Sequence, residues 1–100
     1  MIKFTKTITQ EEVDRTYINL RDDYGKPYSG EFPESKTELC IVDDLGNEYL
    51  TKMLNNTQIW GSISQWFIKR RISRGTGVTI TYDSLERRNG IRVVHIEIKH

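Results

Sequence analysis

The chain has 100 residues, of which 36% are hydrophobic, and a formal net charge of +1. That is enough to fill one modest core, so a single domain over residues 1–100 is expected without help from metal or cross-links. The one cysteine, Cys40, excludes an internal disulfide; the apolar runs fall well short of the ~20 residues a membrane helix requires, and Met1–Lys6 lacks a cleavable apolar leader. The expectation is a cytoplasmic or nucleoid-associated protein with no membrane role.

The near-neutral total hides a division. Residues 1–50 carry six Lys/Arg against eleven Asp/Glu, and residues 51–100 carry nine against three. A basic second half is expected to present an electropositive face to a polyanion, or else to be solvated without a ligand.

In chain order, Ile2, Phe4 and Ile8 alternate with Lys3, Thr5 and Thr7, the period of a half-buried strand. Thr9–Arg15 is polar and too short for an independent helix, which predicts a loop or a single helical turn. Tyr17–Leu20 is a short strand candidate. Residues 21–36 hold Gly25, Pro27, Gly30 and Pro33 and read as a turn-rich connection. Thr37–Asp43 and Glu48–Leu54, separated by Asp44-Leu45-Gly46-Asn47, predict a hairpin. Asn55–Trp60 is expected to connect that hairpin to a helix over 62–71. Ser62 and Gln65 match a capping box for this helix; Ile63, Trp66, Phe67 and Ile72 form its apolar stripe, and Lys69, Arg70 and Arg71 lie in its last turn. Val78, Ile80 and Tyr82, and then Val94, Ile96 and Ile98 beyond Asn89-Gly90, predict two paired strands. Six or seven short strands with one capped helix suggest a closed or nearly closed β-barrel.

The chemistry-bearing residues are sparse. Cys40 lies in an apolar run flanked by Glu38, Asp43 and Asp44, which disfavour a thiolate, so it reads as a buried thiol. His95 and His100 have no partners that would complete a metal site. Asp83, Glu97 and Lys99 outline a small metal-dependent nuclease set, although any alternating strand with charged outer positions produces Glu-x-Lys. No phosphate-binding glycine loop appears. Asn55, Asn56, Thr57 and Gln58 are four consecutive hydrogen-bonding side chains: either a turn, or groups suited to base edges with lysine or arginine on nearby phosphates. Trp60 and Trp66 read as core residues rather than as base-stacking platforms.

With its elements in this order, the chain resembles the DNA-binding pseudobarrel family of the plant B-three transcription-factor domains and the effector domains of certain restriction enzymes. The residues carrying the resemblance are Arg15–Leu20, the pair Thr37–Asp43 and Glu48–Leu54, Ile59-Trp60-Gly61, Gln65–Ile68 and Ile72–Ile80; in the last of these Thr76 stands where the family usually has aspartate. The resemblance implies a mainly β, open seven-stranded pseudobarrel with one or two short helices, whose two arms enter the major groove. By position those arms are Thr9–Arg15 and Asn55–Trp60. Gln10, Arg15, Asn55, Asn56, Thr57 and Gln58 become base-contact candidates, and Lys6 and Lys52 phosphate contacts. Glu11, Glu12 and Asp14 oppose full entry of the first arm. The implied activity is non-catalytic, sequence-selective binding of double-stranded DNA, with no cofactor and no small-molecule substrate. A protein-interaction module and a small nuclease are the alternatives.

Overall fold

A computed structural model describes residues 1–99, apart from the side chain of Ser29; His100 lies outside the described residues. In chain order the elements are β1 (Ile2–Thr7), α1 (Gln10–Arg15), β2 (Ile18–Asn19), a 3-10 turn (Ser29–Glu31), β3 (Glu38–Asp43), β4 (Glu48–Leu54), β5 (Gln58–Gly61), α2 (Ile63–Lys69), β6 (Gly77–Arg88) and β7 (Ile91–Lys99). The strands form one sheet in the order β1-β6-β7-β3-β4-β5-β2. Among the described residues, only β3 and β7 pair in parallel. The sheet curls into an open pseudobarrel whose two end strands are β1 and β2.

Alternation decides which residues enter the barrel. In β4, Tyr49, Thr51 and Met53 are buried while Glu48, Leu50, Lys52 and Leu54 are exposed. In β6, Val78, Ile80 and Tyr82 face inward, and their partners Ile98, Ile96 and Val94 in β7 share that face. Ile63, Trp66, Phe67 and Ile72 close the core from the α2 side, as their spacing predicts. A smaller apolar cluster of Cys40, Val42 and Val93 lies apart from this core, with Ile91 against it.

Three local expectations are corrected. The segment Asn55–Trp60 is not a strand-to-helix connection. Asn55 and Asn56 both adopt positive φ (53° and 58°), and the Thr57 N–H bonds the Leu54 carbonyl at 3.1 Å. Two left-handed residues in succession reverse the chain with the twist of a tight hairpin, so Gln58–Gly61 returns as β5 along β4.

Ser62 is the N-cap of α2 but its hydroxyl makes no capping bond, because its backbone (φ −68°, ψ 3°) is not extended. Its N–H instead reaches the Leu50 carbonyl at 3.2 Å. The capping box lies at α1, where Thr9 and Glu12 satisfy each other's backbone N–H groups.

α2 also ends earlier than 71. Arg71 turns left-handed (φ 51°), its N–H bonds Ile68 O, and the Ile72 N–H bonds Phe67 O. That pair of bonds satisfies the last carbonyls and folds Ile72 back into the core.

Candidate nucleic-acid interface

The open edge of the barrel is closed by side chains. Lys6, inward on β1, donates from Nζ to Glu12 Oε2 at 2.5 Å and to the Asn19 carbonyl on β2 at 2.8 Å. The Asn19 N–H donates to the same Glu12 oxygen at 2.8 Å, and Glu12 Oε1 accepts from the Thr9 N–H and hydroxyl at 3.0 and 3.1 Å. Lys6 is 4% exposed and Glu12 1%. Burial lowers the Lys6 pKa, and the hydrogen bond and charge of Glu12 oppose that shift.

Lys6 is therefore not placed to meet a phosphate, and that expectation is corrected. Its sequence parity carried the signal, since Lys6 shares the inward side of β1 with Phe4. A buried lysine needs a buried partner, and Glu12 supplies it from the segment expected to act as an arm.

The remaining arm residues flank β2. On α1, Gln10 and Arg15 are exposed, with Gln10 Nε2 donating to Asp14 Oδ1 at 2.8 Å and Arg15 lying 3.7 Å from Glu11. At the other end of β2, the Leu20 N–H bonds the Thr57 carbonyl at 2.8 Å, which sets the Asn55–Thr57 turn beside the strand's exit. Asn55 and Asn56 are exposed there, and Thr57 and Gln58 are half-buried.

Between the arms, Ile18 and Ile59 pair inward, leaving Asn19 and Gln58 on the opposite face. Gln58 Oε1 accepts from Trp60 Nε1 at 2.8 Å, and the Trp60 ring stacks on Tyr17 with centroids 4.7 Å apart. Trp60 is thus a half-buried member of the outer face, unlike Trp66, which is fully buried. Lys52 is exposed and directly opposite Trp60 in the β4–β5 register.

Two exposed cations missed in the sequence lie near the arms. Arg21, exposed, follows β2 and lines a cleft of about 420 Å³ with Lys6, Glu11, Tyr17, Asn19 and Asp23. Lys36, exposed, donates its N–H to Met53 O at 2.8 Å, while the Asn55 N–H bonds the neighbouring Ser35 hydroxyl at 3.2 Å. Both lie in the turn-rich connection, where no periodicity marks which side chains converge.

The basic second half is partly neutralised by the acidic first half. Arg70 pairs with Asp43 (3.3 Å) and Asp44, and Arg88 with Glu48 at 3.1 Å. Complementary halves fold onto each other, so the charge division does not translate whole into an electropositive surface.

The nuclease set does not converge. Glu97 pairs with Thr79, whereas Asp83 lies four positions further along β6, roughly 13 Å away at strand rise. His95 Nε2 lies 2.8 Å from Glu86 Oε1. The Cys40 thiol donates to Glu48 Oε1 at 3.3 Å, and burial, followed by that carboxylate, pushes its pKa up to about 11.

No family model matches the chain, and no curated protein matches it. Among solved structures, that of a hypothetical protein from Arabidopsis thaliana is similar at a TM-score of 0.67 and 13% identity, covering 98% of this chain and 89% of the other. The likeness is one of fold. Among the described residues, no helix is long and apolar enough to cross a membrane.

Proposed function

We propose that this chain is a non-catalytic, sequence-selective binding domain for double-stranded DNA. The observation that supports it is the placement of α1 and the Asn55–Thr57 turn at the two ends of the two-residue strand β2. Gln10 and Arg15 on one side and Asn55, Asn56, Thr57 and Gln58 on the other are the base-reading groups. Asparagine and glutamine offer the paired donor and acceptor that adenine presents in the major groove, and arginine matches guanine. Arg21, Lys36 and Lys52 neutralise backbone phosphates. Glu11 and Asp14, each beside a base-reading group of α1, must release Arg15 and Gln10 for contact, or accept from cytosine amino groups.

The test is fluorescence anisotropy with a randomised duplex and a matched single strand across salt concentrations, followed by selection of retained duplexes. Salt-sensitive duplex binding with an enriched motif is the expected result. No binding at low salt overturns it.

One observation favours a second reading, a protein-interaction module. The outer face of β4 and β5 exposes Leu50 and Leu54 beside Trp60, around a mostly apolar cleft of about 360 Å³. Outward positions on an antiparallel sheet are ordinarily polar.

A further inference from the structure

β1 and β2 are the two ends of the sheet order and do not pair with each other. Two side-chain links span the gap: a buried one, in which Lys6 from β1 and Glu12 from α1 meet on the backbone carbonyl and N–H of Asn19 in β2, and an exposed one, in which Asp23 beyond β2 accepts from the Thr7 N–H and hydroxyl of β1 at 2.7 and 2.8 Å. The Glu12 carboxylate receives four donors, from Lys6, Asn19 and twice from Thr9. Rearranging such a fully bonded, water-excluded carboxylate is costly, because the buried Lys6 ammonium would lose its charged acceptor and the Asn19 N–H its partner. α1 by contrast has six residues, too few to hold a position by itself. Its orientation must come from tertiary contacts: Val13 packs against the core, and Glu12 bonds α1 to both β1 and β2.

A buried ion pair is a weak source of net stability compared with apolar packing, yet breaking it from one side leaves an uncompensated buried charge. We infer that Lys6 and Glu12 are positioning residues for the DNA-binding surface. They set where Gln10 and Arg15 stand relative to β2 and the Asn55–Thr57 turn, and they make barrel closure and placement of the first arm one event. The functional half of this inference rests on the DNA-binding reading; the structural half does not.

The test uses the full chain with Lys6→Met, Glu12→Gln and the double variant. The double variant leaves no unpaired buried charge, and the one amide oxygen of glutamine can keep the Thr9 capping box while its amino group loses the Asn19 N–H, so loosening of α1 reports loss of the links to β1 and β2 rather than of the cap. Two readouts are taken: amide hydrogen exchange, and anisotropy with a randomised duplex at several salt concentrations. In the double variant the α1 amides are expected to exchange at least about tenfold faster while β3 and β7 remain protected. Duplex affinity is expected to fall about tenfold with an unchanged slope of log affinity against log salt, since no phosphate contact is removed. Glu12→Gln alone, which leaves the buried Lys6 ammonium without its carboxylate, is expected to loosen α1 at least as much as the double variant.

A slope reduced by about one with α1 still protected would make Lys6 a direct phosphate contact and overturn the inference. Unchanged α1 exchange in the double variant overturns it as well. If the wild-type chain binds no duplex, the DNA reading fails separately, and the exchange result alone decides whether the pair positions α1.

Discussion

Arg70, the residue that caps the C-terminal end of α2, lies 3.3 Å from Asp43, the last residue of β3, and joins the helix to the β3–β4 turn. Asp43 has no solvent-accessible side chain in this arrangement. It also accepts from the Leu45 N–H, the Asn47 N–H and side-chain amide, and the Tyr49 hydroxyl. Arg70 further pairs with Asp44, which accepts from the Ile98 N–H on β7. One carboxylate thus organises a turn, and one guanidinium ties that turn to the helix.

Removing Asp43 leaves several donors without a partner, whereas removing Arg70 exposes groups that water can reach. Asp43→Ala is therefore expected to cost about 3 kcal/mol and Arg70→Ala about 1–2 kcal/mol. Chemical denaturation at neutral pH checks the order, which is the more demanding part of the expectation.

The same cluster sets two limbs of the stability–pH curve. Burial alone would raise the Asp43 pKa, but hydrogen bonds from Asn47, Tyr49 and Leu45 outweigh it and hold the carboxyl below its usual range. Its stabilising contribution is present above the unfolded carboxylate value of about 3.9 and is lost as pH falls through the folded value beneath it. Tyr49 acts at the other end: burial, then its hydrogen bond to Asp43, pushes its pKa up to about 12. That contribution is present below the unfolded tyrosine value of about 10 and is lost as pH rises toward the folded one. Asp43→Asn should flatten the acid limb, and Tyr49→Phe the alkaline limb, in denaturation series across pH.

The turn at Asn55 and Asn56 allows fold and recognition to be separated. Glycine accepts positive φ without strain, so Asn55→Gly and Asn56→Gly are expected to change stability by less than about 0.5 kcal/mol while deleting the side chains. Valine at either position should cost about 1–2 kcal/mol. If the side chains read bases, the glycine variants lose motif enrichment with an unchanged melting temperature; retained enrichment removes them from the contact set.

For the proposed phosphate contacts the salt slope is the discriminating quantity. Arg21→Ala, Lys36→Ala and Lys52→Ala should each weaken duplex binding on all sequences and reduce the slope by about one. Arg15→Ala should instead relax preference at one position of the selected motif. A uniform loss for Arg15→Ala would move it to the phosphate group.

Cys40 is expected to be chemically inert. With a raised pKa and a mostly buried sulfur, its thiolate fraction at neutral pH is small. Alkylation of the native chain should be far slower than of the unfolded chain, and Cys40→Val should fold normally beside Val42 and Val93. Rapid native alkylation would show that this outer cluster opens.

Much of the architecture was legible because it is periodic. Val78, Ile80 and Tyr82, or Tyr49 and Met53, declare an inward face through spacing alone, and the stripe Ile63, Trp66, Phe67 and Ile72 does so for α2. The β3–β4 hairpin was readable from the turn residues Asp44-Leu45-Gly46-Asn47 between two β-prone runs. Strand β5 was obscured because the Asn-Asn turn before it reads equally as loop chemistry. The Ser62 capping box matched in residue type yet failed in backbone angle, which the pattern does not encode.

The candidate site divides along the same line. Exposed polar arm residues, Gln10, Arg15, Asn55 and Asn56, could be named from the sequence because exposure follows from their polarity and from their place in turns or a short helix. The inward side of Lys6 was legible in its parity with Phe4, but its partners were not, since they are Glu12 six residues away and the backbone of Asn19 thirteen residues away. Nor was the pairing of Arg70 with Asp43, or the placement of Arg21 and Lys36 near the two arms. By itself the sequence determined which residues alternate, reverse the chain or start a helix, because those preferences act within a few bonds of each residue. Only the tertiary structure decided which charges are consumed as partners and which remain at the surface, because that follows from how a seven-stranded sheet curls and which distant segments close its edge.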